Sequence, residues 1–255
     1  MKAKKITYAV RSWKRAKECF THEYLPETVY VVAESQAEEY RKYNKPVWVC
    51  PDSAQGNISR VSNWIIDNCP TRWLIITDDD LSHFGHWEGN KLKKLTGPQA
   101  EEQLEICFMM AEELGTPFWG MNIIPDKGAY REYTPLSMNN YIGGGFQAFI
   151  TDGFGFRYDE DLPLKEDYDM TLQVANKYRK ILRFNFLHYN LKQHTNVGGC
   201  ADYRTIEKEK EQFELILRKW GSRIVRKDTG ASKVNRKKEI TYDINPIIKV
   251  PLKGV

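Results

Sequence analysis

Apolar residues gather in short runs through the first third of the chain: "ITYAV" from Ile6, "VYVV" from Val29, "VWVC" from Val47 and "WLIIT" from Trp73. These runs are rich in β-branched and aromatic side chains and too short for helices, which predicts strands. The polar stretches between them, "SQAEEYRKY" and "GNISRVSNWIIDN", read as helices. In the second, Asn57 supplies a capping oxygen, and Ile58, Val61 and Ile65 fall on one face at helical spacing. Strands alternating with helices predict an α/β domain, a largely parallel sheet with helices packed over it.

Further along, the segment from Gly97 to Gly115 predicts a helix with Pro98 at its first position and acidic residues in its early turns. Leu104, Phe108, Ala111 and Leu114 form its apolar stripe. "FWGMNII" predicts a strand, 125–140 a loop rich in turn formers, and "YIGGGFQAFI" another strand entered through three glycines. From Tyr203 to Trp220 the helical period returns, with Tyr203, Ile206, Phe213, Ile216, Leu217 and Trp220 on one side and Gly221 as the stop. Beyond Ser222 the period fades, although "ITYDINPIIKVPL" reads as an extended arm. The expected organisation is one domain over 1–221 and a basic extension over 222–255.

Composition narrows this picture. With 255 residues, 41% hydrophobic and 13% aromatic, the chain can bury a sizeable single core. No apolar run approaches a membrane span, and Arg11 interrupts any secretion segment, so the expected compartment is the cytoplasm. Cys19, Cys50, Cys69, Cys107 and Cys200 are scattered and unpaired in spacing, which argues for reduced thiols rather than a disulfide framework or zinc site. The net charge is +4, and its excess lies late in the chain. Arg223, Arg226, Lys227, Lys233, Arg236, Lys237 and Lys238 face only Asp228 and Glu239 there, which suits a polyanionic partner.

The strongest chemical signal is "WLIITDDDL". Asp78, Asp79 and Asp80 stand at the mouth of a buried strand, where like charges repel and desolvation costs free energy unless a cation or donors compensate. Parallel strands aim their carboxyl ends at a shared crevice. Hard carboxylate oxygens there suit Mg2+ or Mn2+, with a substrate diphosphate completing the coordination sphere. The bland alternative is a solvated turn. A second acidic element, "LKEDYDMTLQ", follows the glycine-rich strand, with Glu166 and Asp167 before a helix whose stripe includes Leu172 and Ala175. Asp169 alone can serve the helix dipole.

An Asp-x-Asp after an early central strand resembles the GT-A class of nucleotide-sugar glycosyltransferases, with a Rossmann-like mixed sheet flanked by helices. "WLIITDDDL", "GGGFQAF" and "LKEDYDMTLQ" together look like the TET-associated glycosyltransferase family, over roughly Ile6 to Gly199. That resemblance implies a UDP-linked sugar donor, Mn2+ or Mg2+ as cofactor, and the hydroxymethyl group of a modified pyrimidine in DNA as acceptor. It puts Asp78 and Asp80 on the outer positions of the metal-binding motif and counts both as metal residues, Asp80 coordinating directly and Asp78 reaching the ribose or a metal-bound water, with Asp79 turned away toward backbone. It makes Asp167, slightly ahead of Glu166, the general base for the acceptor hydroxyl. His194 becomes a further metal ligand, whereas His188 ends a strand and packs, and His83 and His86 are loop residues. Gly144 and Gly145 approach the sugar or acceptor. By position after the first two strands, Arg11, Ser12 and Glu34 hold the nucleotide, with Arg60 adding a contact. Trp87, Tyr130 and Tyr133 are candidates to stack on an extruded base.

Other readings differ in class. The same parts serve a glycosyltransferase acting on a protein or glycan. A phosphatase or nucleotidyltransferase would use the aspartates for phosphoryl chemistry; a haloacid-type phosphatase places its Asp-x-Asp after the first strand, whereas three strand candidates come earlier here. A non-catalytic nucleic-acid-binding module would treat the triplet as structural.

Overall fold

The computed structural model describes residues 5–123, 130–192, 204–227 and 244–249. The first half runs β1 (Ile6–Arg11), α1 (Thr21–Tyr24), β2 (Val29–Ala33), α2 (Glu34–Lys42), β3 (Val47–Cys50), α3 (Ile58–Asn68) and β4 (Trp73–Asp78). All four apolar runs are strands, paired in parallel in the order β3-β2-β1-β4. Asn57 caps α3 as expected, its Oδ1 accepting from the Ser59 N–H at 2.9 Å and the Arg60 N–H at 3.2 Å. Such a cap contributes about 1 kcal/mol. Val61, Ile65 and Ile66 bury its apolar face.

After β4 the alternation stops. The chain continues as β5 (Leu81–Glu88), β6 (Lys91–Lys94), α4 (Gly97–Glu113), β7 (Phe118–Asn122), β8 (Leu136–Ser137), β9 (Phe146–Ile150), α5 (Glu166–Tyr178) and β10 (Leu182–Leu191). The sheet extends past β4 in the order β9-β7-β10-β5-β6, with β8 on β10. β9 is antiparallel to both β4 and β7, while β7 and β10 are parallel. The sheet is therefore mixed, with its parallel order concentrated in the first four strands.

Three expectations need adjusting. His83 and His86 lie on β5 rather than in a loop, because a strand of Ser, His, Gly and Trp carries little β-branched signal and is held by pairing with β10 and β6. Thr96 caps α4 in a reciprocal pair with Gln99, so Pro98 sits one place beyond the first helical position and the first turn holds no acid. Glu166 and Asp167 are the first residues of α5, not its prelude.

Two apolar layers cover the sheet. On one side Leu104, Phe108 and Ala111 of α4 meet Trp119, Phe146 and Phe184. On the other, α3 and α5 meet Leu74, Ile76, Phe118 and Phe149 through Val61, Ile65, Met170 and Val174. The late helix α6 (Ile206–Trp220) stops at Gly221, whose φ of +79° favours a residue without Cβ. Phe213 and Ile216 bury its inner face, but Ile206 is 39% exposed and leaves the expected stripe. A two-stranded ribbon, β11 (Val225–Lys227) and β12 (Pro246–Ile248), packs beside α6 through Val225 and Ile248. Among the described residues Cys19, Cys50, Cys69 and Cys107 are free thiols, and no helix is long and apolar enough to cross a membrane.

Candidate active site

β9 runs against β4 with Phe146 opposite Thr77, so the glycines that enter β9 lie beside the carboxyl end of β4. Thr77 fixes the join by donating its hydroxyl to the Gly145 carbonyl at 2.7 Å. The ends of β1 and β4, the glycine turn and the start of α5 thus converge on one cleft of about 870 Å³. That volume suits a nucleotide-sized ligand.

The three aspartates are treated differently. Asp78 Oδ1 accepts from Arg11 Nη2 at 2.7 Å. Asp79 is buried and lines the cleft with its neighbours, and it accepts from Ser12 Oγ at 2.6 Å and Arg15 Nη1 at 3.2 Å, side chains rather than the expected backbone. Asp80 is 8% exposed, lines the cleft, and has a buried Oδ1 with no partner. Burial, then the charges of Asp78 and Asp79, push its carboxyl up to about 7. The backbone around the triplet is pinned: Thr21 Oγ1 donates to the Asp78 carbonyl at 2.8 Å, and Lys192 N–H to that of Asp80 at 3.0 Å.

An unpartnered buried carboxylate oxygen at a cleft wall fits a hard divalent cation, which would relieve both the desolvation and the repulsion. The fit is partial in number. Among the described residues no three His, Cys, Asp or Glu side chains converge as a ligand set, and His194 lies outside them. Asp80 would be the protein's carboxylate ligand, with the remaining positions open to substrate and water oxygens.

Across the cleft stands the acid pair. Asp167 Oδ2 accepts from the Gly144 N–H at 2.9 Å and from the Tyr141 hydroxyl, and Oδ1 accepts from the Tyr168 N–H at 2.8 Å. Tyr141 stacks on Tyr168 with centroids 4.2 Å apart, which holds that hydroxyl in place. Glu166 is 7% exposed on the cleft wall. Burial and the neighbouring Asp167 raise its pKa, against the lowering effect of Arg11. Burial also raises Asp167, and its three donors oppose that rise. Asp169 does more than meet the helix dipole: fully buried, it accepts from Trp220 Nε1 at 2.8 Å and Lys219 Nζ at 3.0 Å and so anchors α6 to α5.

The other expected residues separate into two groups. Arg11, Ser12, Gly144 and Gly145 line the cleft. Glu34 is exposed at the start of α2, and Arg60 pairs with Glu160 at 3.0 Å; neither lines the cleft. Arg223, Arg226 and Lys227 are exposed after α6, away from the cleft lining, while Lys233, Arg236, Lys237 and Lys238 lie outside the described residues. Trp87 and Tyr130 stack on each other, centroids 5.9 Å apart, and Tyr133 is 82% exposed. His188 packs inside β10 rather than ending it, and both ring nitrogens lack partners.

Sequence reasoning missed Tyr141, Tyr189, Lys165 and Arg204. Tyr141 precedes the glycines and had no signal beyond that proximity. Lys165, capping α5, is 1% exposed and pairs with Glu209 of α6, which also binds Arg204 at 3.2 Å on the cleft wall.

A scan against protein-family models returns no match, and a search of curated proteins returns none. Solved structures do match. A mannosyltransferase, PcManGT from Pyrobaculum calidifontis in complex with GDP-Man and Mn2+, aligns over 84% of this chain and 64% of its own at 12% identity, TM-score 0.55. A mycobacterial protein aligns over 90% and 81% at 8% identity, TM-score 0.51. Residues 1–349 of TarS from S. aureus align over 84% and 66% at 13% identity, TM-score 0.48. The chain thus spans about two thirds of the length of TarS 1–349 and of the mannosyltransferase, and 40% of the longer TarS chain. The likeness to the mannosyltransferase, with the strand order and the cleft at the end of β4, makes the fold a GT-A-like α/β fold.

Proposed function

We propose that the chain is a metal-dependent glycosyltransferase that takes its sugar from a nucleotide-sugar donor, a UDP-linked one by the sequence resemblance. The observation that carries this reading is the buried, unpartnered Asp80 oxygen on one wall of a nucleotide-sized cleft, facing an acid pair on the other. The solved structure of the same fold bound to GDP-Man and Mn2+ supports it by analogy.

Bound at Asp80, the cation would supply positive charge for the departing diphosphate. Glu166 takes the acceptor hydroxyl proton, because its oxygens are not committed to donors as those of Asp167 are, and a raised pKa suits a base working near neutrality. The acceptor oxygen then bonds to the anomeric carbon as the bond to the diphosphate oxygen breaks, and the nucleoside diphosphate leaves with that electron pair. Asp167, held by Tyr141 and Gly144, keeps the first turn of α5 in place.

For the acceptor, the resemblance to TET-associated enzymes supports a hydroxymethylated pyrimidine in DNA, with the late basic cluster contacting phosphates. A protein or glycan acceptor is the second reading. It is favoured by a depression that shares Gly56, Asn57 and Pro163 with the cleft and offers a polyanion no excess of positive charge: Lys208 is paired with Glu211, Glu160 with Arg60, and Asp161 stands beside them. Incubation with Mn2+, a panel of nucleotide sugars and either hydroxymethylated DNA or glycans, followed by mass spectrometry, tests both. A sugar-sized mass gain on DNA nucleosides supports the first acceptor and a gain on glycan the second; no transfer or donor hydrolysis under any condition contradicts the enzyme.

A further inference from the structure

Arg11 ends β1, its Cα opposite that of Asp78 in the β1/β4 register. A cation at a strand's carboxyl end beside an open cleft has water within reach, yet this one is only 7% exposed. Its Nη2 donates to Asp78 Oδ1 at 2.7 Å and to the Gly144 carbonyl at 2.6 Å, and Nη1 donates to Ser62 Oγ of α3 at 3.4 Å. Gly144 extends this chain of bonds, because its N–H donates to Asp167 Oδ2 at 2.9 Å, the oxygen that also takes the Tyr141 hydroxyl. One guanidinium and one glycine backbone therefore join the acidic triplet to the acid pair. The join is tight: a Cβ at position 144 would stand 3.2 Å from both Asp167 Oδ2 and Glu166 Oε1, so a side chain there would push on both carboxylates.

We propose that Arg11 is a positioning residue that holds Asp78 off the cation, leaving the coordination to Asp80, and that sets the spacing between triplet and acid pair through Gly144. The first half of this inference rests on the glycosyltransferase reading; the second does not. Its physical basis is the geometry of the fork. A guanidinium offers several fixed donors and can grip a carboxylate and a carbonyl at once, whereas a lysine ammonium keeps the charge without that fork. With Arg11 gone, Asp78 becomes a second free carboxylate beside Asp80, so the cation is held more tightly while the acid pair loses its tether.

The test compares the full chain with R11Q and R11K by Mn2+ calorimetry, amide exchange at Gly144 and donor turnover. In R11Q the expected result is Mn2+ binding tighter by about 3-fold to 10-fold, exchange at Gly144 faster by about 10-fold, and kcat lower by about 100-fold with a smaller change in KM. R11K falls between, and carries the same test if R11Q does not fold. Adding D78N to R11Q removes the gain in Mn2+ affinity. A merely structural arginine would instead weaken every readout together with the melting temperature. Mn2+ affinity and Gly144 exchange both as in wild type, or weaker Mn2+ binding in R11Q and R11K, overturn the proposal. A wild type that turns over no nucleotide sugar while Gly144 loosens in R11Q sinks the glycosyltransferase reading and leaves the bridge standing. Wild-type turnover with unchanged Gly144 exchange does the reverse.

Discussion

β1 and β4 bring Arg11 and Asp78 to the cleft from parallel strands in direct register, whereas Gly144, Glu166 and Asp167 arrive from the opposite direction, on the turn into an antiparallel strand and the first turn of a helix. The parallel half offers rigid strand ends; the other half offers a carboxylate pair on the first turn of α5, of which Asp167 is held by one hydroxyl and two backbone N–H donors. In the proposed two-substrate transfer this difference would have a use. Strand ends suit a fixed cation and diphosphate, and the acid pair would serve the incoming acceptor. The two halves meet at the Arg11–Gly144 contact.

The largest expected effect falls on the parallel side. D80N should lower metal-dependent turnover by about 1000-fold, measured as kcat at saturating donor. It should also raise the stability of the metal-free protein at pH 8 by on the order of 1–2 kcal/mol after solvent screening, because the Asp80 carboxyl is pushed up to about 7 from an ordinary 3.8 and its charge is a burden in the fold. A raised carboxyl pKa means that the folded state holds the extra proton. The gain is therefore full above pH 7 and disappears as pH falls toward 4. Melting curves of both proteins at pH 4 and pH 8 check the sign.

On the other side, E166Q should lower kcat by about 100-fold to 1000-fold and abolish the acidic limb of the pH–rate profile. D167N, whose amide oxygen can still accept from Tyr141, should cost about 10-fold. If D167N is the more damaging and removes the acidic limb, the roles within the pair are reversed. Y141F deletes one of three bonds to Asp167 and should cost about 3-fold to 10-fold in kcat, with donor KM unchanged.

The smallest effect separates the halves by stability rather than rate. His188, buried between β5 and β7 without a partner, has its pKa lowered to about 4 by burial and by His83. Between pH 6.5 and pH 4 the unfolded chain takes up a proton that the folded one refuses, so stability should drop by on the order of 1–3 kcal/mol as pH falls through that window. H188L should flatten the slope in denaturant melts if it folds; an equal slope in both proteins would assign the acid sensitivity elsewhere.

The same division governs what the sequence disclosed. Ile6–Arg11 and Trp73–Asp78 are fully buried or nearly so along their length, and continuous β-branched and aromatic runs announce such strands, so the triplet could be placed at a strand end from the letters alone. β5 carries Ser82, His83, Gly85 and His86, whose types favour turns, and it exists because β10 and β6 pair with it, a long-range cause that no local pattern records. Glu166 and Asp167 were readable as an acidic helix start, but the division of labour between them was not, because it depends on Tyr141, some 25 residues earlier in the chain. For Arg11 the letters placed a polar residue after the first strand at the cleft that it lines; what they could not record is that Asp78 and Gly144 engage its guanidinium there.

The central claim, that a cation held by Asp80 is what lets this cleft take a nucleotide-sugar donor, is tested most directly by calorimetric titration of UDP-sugars and other nucleotide sugars into wild type and D80N, with Mn2+ and with chelator. The account predicts one donor bound by wild type with Mn2+, and affinity weaker by about 100-fold or more when either the metal or the Asp80 carboxylate is removed. Equal donor affinity in chelator, or in D80N, would contradict it.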